Sequence, residues 1–118
     1  TVKAYFEAVK FWEENPEEGN AIIAEGLQFP VADVEEVIGA SGKSEDGGVF
    51  PFNFTDAAQF LGLVEGKPPF GENGHIESHW KLTNDWWLKF GMVKESHPME
   101  SGIAIGPMKT LLGKGYGK

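Results

Sequence analysis

Apolar side chains at three- and four-residue steps constrain this chain first, because that spacing gathers them on one face of a helix. Val2, Tyr5, Phe6, Val9 and Trp12 follow it through the opening segment and predict a helix over 2–14. That helix must stop at Asn15, since Pro16 disfavours the α conformation in the residue before it and brings no N–H to the ladder. A second helix is expected at once, with Asn15 as N-cap, Pro16 in the first helical position and Glu18 placed for a capping box. Ala21, Ile22 and Ala24 or Leu27 should face inward, and Gly26 should end it in the left-handed conformation. A short third helix from Pro30 or Val31 to Ile38 turns Val31, Val34, Val37 and Ile38 inward. Its early turns hold Asp33, Glu35 and Glu36, where the macrodipole favours acid.

Residues 40–48 have no period and read as an exposed loop. Phenylalanines at 50, 52 and 54 then alternate, which predicts an extended segment, while Pro51 limits it to an edge strand at best. Thr55 is expected to cap a helix running to about Leu61, and 62–74, with its Gly, Pro-Pro and Asn-Gly, a loop. The longest helix should begin near Gly74 or His75 and end at Gly91, with Ile76, Trp80, Trp87 and Phe90 near one stripe and Leu82 and Trp86 beside it. Each large aromatic buries about 150–250 Å², so Trp80, Trp86 and Trp87 are expected in the core, with an interaction or stacking surface as the alternative. Residues 102–118 hold five glycines, three lysines and no acid and are expected to form a tail without a helix. The fold class is therefore mainly α, with at most a short edge strand near 48–54, a helical domain over 1–101 and a Gly/Lys-rich tail over 102–118.

A chain of 118 residues fits one domain and can bury a core without disulfides or metals. Ten lysines, no arginine and eighteen acids give a net charge of -8, which repels phosphate backbones and anionic bilayers, so no nucleic acid is expected as a partner. Without arginine's planar fork, an anion site would have to use Lys, backbone N–H groups or helix N-termini. The absence of cysteine excludes thiol catalysis and thiolate metal sites. No apolar run approaches the roughly eighteen residues a membrane span needs, so no membrane insertion is expected. The opening residues lie inside an amphipathic pattern with no signal peptide, as expected if a signal was removed or the sequence is an internal piece.

Catalytic and metal motifs were sought at the same level. His75 and His79 stand four apart, a spacing that brings two imidazoles onto one helix face, but the run His75-Ile76-Glu77-Ser78-His79 lacks the metalloprotease order and a third ligand. Glu13, Glu14, Glu17 and Glu18 lack the alternation and central glycine of a calcium loop. Neither Gly102-Ile103-Ala104-Ile105-Gly106 nor Gly113-Lys114-Gly115 completes a phosphate loop. No cofactor, metal or catalytic residue is assigned, and the chain is expected not to be an enzyme.

Taken in order, the helix Ala4-Tyr5-Phe6-Glu7-Ala8-Val9-Lys10-Phe11-Trp12, the corner Asn15-Pro16-Glu17-Glu18-Gly19-Asn20-Ala21, and the later Asp85-Trp86-Trp87 and Phe90-Gly91-Met92-Val93 form a specific combination. Over about residues 2–100 it resembles the C-terminal region of the solute-binding proteins of nitrate, sulfonate and taurine ABC importers, and the related thiamin-pyrimidine precursor binding proteins. The resemblance implies a type II periplasmic-binding lobe whose parent fold is α/β, a periplasmic or extracytoplasmic setting, and delivery of a small anionic or heterocyclic solute to an ABC permease. The parallel strands that build most of the cleft in that family are absent here, so the expected partners are a permease or the missing lobe, with a small solute and a second copy also possible. Phe50, Phe52 and Asn53 are the candidate ligand-facing residues, because an extended segment can turn backbone groups toward a ligand. Trp80, Trp86 and Trp87 are the candidate interface residues of the alternative function, a helical protein-protein interaction module.

Overall fold

The computed structural model describes residues 1–117 and is mainly helical, with six α-helices and two single 3-10 turns among the described residues. The chain divides into two compact units, Thr1–Asn53 and Phe54–Lys118.

In the first unit, α1 (Val2–Glu14), α2 (Pro16–Leu27) and α3 (Val31–Ile38) follow the expected order. Phe6, Val9 and Trp12 form the buried stripe of α1, as their spacing requires. Helix α2 packs on them through small residues, Gly19, Asn20 and Ala24, rather than through Ile22 and Leu27, which lie in solvent. The reason is close approach: a Cβ on Gly19 would stand 3.0 Å from the Trp12 ring. The corner also differs from the expected capping box. The Asn15 amide donates backward to the Phe11 carbonyl at 3.3 Å, so it serves the end of α1, and no side-chain bond caps α2. The left-handed residue ending α2 is Gln28, with φ 59°, two positions beyond Gly26.

The pivot of this unit is Asn20, fully buried, whose Oδ1 accepts from Trp12 Nε1 at 2.8 Å and whose Nδ2 donates to the Gly39 carbonyl at 2.9 Å. One amide thereby joins α1, α2 and the end of α3, and its burial is compensated by both bonds. The following loop folds back closely: Gly42, at φ +76°, would place a Cβ 2.6 Å from the Glu13 carbonyl oxygen.

The expected edge strand near 48–54 does not form, and no strand occurs among the described residues. Pro51 offers no N–H to a ladder, and the Val49 N–H is taken by the Val37 carbonyl at the end of α3, at 2.8 Å. The alternation survives as packing, because Phe50 and Phe52 meet edge to face with centroids 5.5 Å apart.

In the second unit, α4 (Phe54–Phe60) starts one residue before the expected Thr55 cap and buries Phe54 and Ala58. Helix α5 (His75–Lys89) closes through Gly91 at φ +71°. The segment expected to be a helix-free tail carries α6 (Gly106–Gly113), with Pro107 in its first turn and Met108 buried. Beyond it the half-buried Tyr116 ring meets buried Phe54 edge to face at 4.9 Å, so Tyr116 packs on the unit's core. Glycine-rich composition had hidden the Met108, Leu111, Leu112 spacing that marks this helix.

Candidate functional site

Helix α5 contributes no buried residue at all, the chief departure from its expected place in the core. Its period explains how. Leu82, Trp86 and Phe90 recur at four-residue steps on one face, and all three are exposed, Leu82 at 65% and Trp86 at 58%. Trp86 and Phe90 pack on each other, ring centroids 4.9 Å apart, and Lys89 Nζ lies 5.9 Å and 5.8 Å from the two rings. The pair thus forms a cation-capped aromatic ledge.

Trp80 and Trp87, seven residues apart, share a second face of α5. Trp80 is half-buried and held in place: its Nε1 donates to the His97 carbonyl at 2.8 Å, the His97 N–H donates to Asn84 Oδ1 at 3.0 Å, and Asn84 Nδ2 donates to the Trp80 carbonyl at 3.1 Å. Gly102 completes the seat, since a Cβ there would lie 2.3 Å from the Trp80 ring. Trp80, Asn84, Trp87, Val93, His97 and Gly102 border a slot of about 330 Å³. Sequence reasoning named Trp80 and Trp87 but missed Asn84 and His97. A signal was present only for Asn84, one helical turn from Trp80 on the same helix.

Phe50, Phe52 and Asn53 are each half-buried in the first unit, and Ser44 Oγ donates to the intervening Pro51 carbonyl at 3.0 Å, which pins the segment. The structure brings Phe50 and Phe52 together and places Asn53 at the end of this unit. A mostly apolar groove of about 340 Å³ also lies between α2 and α3, walled by Ile23, Leu27, Phe29, Val34 and Val37. Of its walls, Val34 is buried as expected, whereas Leu27 and Val37, also expected to face inward, are exposed, as is Phe29.

The histidine pair is ordered by packing. His75 stands edge-on to Phe60 with centroids 5.2 Å apart, and His79 lies 5.8 Å from His75. Among the described residues no group of three His, Cys, Asp or Glu side chains converges as metal ligands would. No helix among them is long and apolar enough to cross a membrane. Comparison of the chain with protein-family models, with curated proteins and with solved structures finds no match.

Proposed function

We propose that the chain is the helical part of a solute-binding component of an ABC importer, non-catalytic in itself, acting in the periplasm or an equivalent extracytoplasmic space. Its parent fold is the α/β type II binding lobe, and its partners are the strand-bearing remainder of that lobe and the membrane permease. The solute is a small anionic or heterocyclic molecule. One observation carries the reading. Large apolar side chains stand in solvent on the helices of both units and just beyond their ends, Ile22, Leu27, Phe29 and Val37 in the first and Leu82, Trp86, Phe90 and Met92 in the second. Helices that cover a sheet need such faces, because a layered domain buries each helix stripe against its neighbouring layer. The ordered resemblance from Ala4 to Val93 supplies the particular sheet-bearing family.

The test is the chain expressed with its flanking coding sequence. That sequence is expected to supply a strand-rich segment, to adjoin permease and ATPase genes, and to give saturable calorimetric heat with taurine, nitrate, an alkanesulfonate or a pyrimidine. Flanks with no strand-rich segment and no transporter gene would overturn it.

The exposed ledge of α5 also favours a second reading, a helical interaction module that holds another chain through Trp80, Trp86 and Trp87. Sedimentation decides between monomer and complex. A strict monomer with uniformly blue-shifted tryptophan emission removes the basis for the module.

A further inference from the structure

We propose that the slot between Trp80 and Trp87 is a binding site for a small, uncharged, flat ring carrying one hydrogen-bond donor beside one acceptor, as a lactam does. It stands independently of the transport reading, because none of its wall residues is among the exposed side chains that carry that reading.

The volume, about 330 Å³, is at the lower end of small-molecule sites and suits a single ring. Two indoles border it from one helix, carried by positions about 10 Å apart along the helix axis. The site is also preorganised. The three-bond relay through His97 and Asn84, with Gly102 against the Trp80 ring, holds one wall in place before any ligand arrives.

Chemistry narrows the ligand further. Asn84 uses one amide hydrogen and one oxygen lone pair in the relay, which leaves a second donor and a second acceptor on a half-buried side chain at the slot wall. A lactam edge matches that remainder. No Lys, Asp or Glu borders the slot, so an ionised ligand finds no ammonium or carboxylate partner on its wall. A sugar ring carries several hydroxyls, whereas beyond Asn84 the wall offers only the His97 ring and Ser101 Oγ, whose proton already goes to the Pro98 carbonyl, so such a ring is disfavoured.

The test follows the indole N–H signals of the four tryptophans by NMR while 2-pyridone is added to the full chain. Saturable movement of the Trp80 and Trp87 signals in the millimolar range is expected, with Trp12 and Trp86 unmoved. N-methyl-2-pyridone, which lacks the donor, should bind at least threefold more weakly. Trp87→Ala should abolish the response and Trp86→Ala should preserve it; Trp87 is 44% exposed, so its loss leaves the second unit folded, which the Trp80 and Trp86 signals report before any ligand is added. No movement at Trp80 and Trp87, or an equal response to the N-methyl compound, would overturn the proposal. So would a response retained in Trp87→Ala, or one to methyl glucoside with none to 2-pyridone.

Discussion

Asn20 has no exposure, and its amide serves two groups, the Trp12 indole N–H and the Gly39 carbonyl. Asn20→Leu keeps the bulk but strands both, and a buried group left unpaired costs about 1–3 kcal/mol. Urea unfolding followed at Trp12 should therefore show the first unit weakened by about 2–4 kcal/mol. A variant as stable as the parent would mean that those groups find other partners. Two glycines make a sharper pair. Gly42 combines φ +76° with a Cβ position 2.6 Å from the Glu13 carbonyl oxygen, whereas Gly26 lies in α2 with nothing within 4 Å. Gly42→Ala should destabilise by more than about 1 kcal/mol through strain and overlap. Gly26→Ala should stabilise by about 0.4–1 kcal/mol, because alanine restricts the unfolded chain at no cost to the helix. Thermal denaturation of the two variants should move in opposite directions.

Among elements, α6 is small and α5 large, yet their structural weight is reversed. Met108 is buried and α5 buries nothing. Met108→Ala should cost about 2–5 kcal/mol as a cavity in the second unit, while Leu82→Ala, on the exposed ledge, should stay within about 0.5 kcal/mol. Denaturant midpoints read at the α5 tryptophans test both, and a large loss from Leu82→Ala would place the ledge in the core after all. The same contrast marks how far the sequence could be read. Helix periods and proline breaks located α1, α2, α3 and α5 closely, because local sterics set them. They could not say which face is covered: an apolar stripe such as Leu82, Trp86 and Phe90 has one appearance whether it meets its own core or another layer. The relay through Asn84 and His97 was illegible because it joins residues thirteen apart across a loop, a separation no local period encodes. Helix α6 was lost for the opposite reason, a correct period diluted by glycines.

At the scale of the molecule, charge is divided as sharply as contact. Residues 1–53 carry three lysines against eleven acids, a net of -8, while 54–118 carry seven of each. The whole chain's excess of acid therefore belongs to the first unit, although the sequence alone had suggested a contrast between the body and a basic tail. Like charges on one small unit repel one another and weaken its compact state. Raising salt from about 0.01 M to about 0.1 M shortens the screening length from about 30 Å to about 10 Å, comparable to the size of such a unit. The first unit should gain stability over that range and the second should change little. The tryptophans report the two separately, Trp12 for the first and Trp80, Trp86 and Trp87 for the second. Urea titrations at the two salt levels should thus shift the Trp12 midpoint upward and leave the other three in place. Equal shifts at all four indoles would mean that the chain unfolds as one block. No shift at Trp12 would mean that its acids lie too far apart, or are too well solvated, to repel.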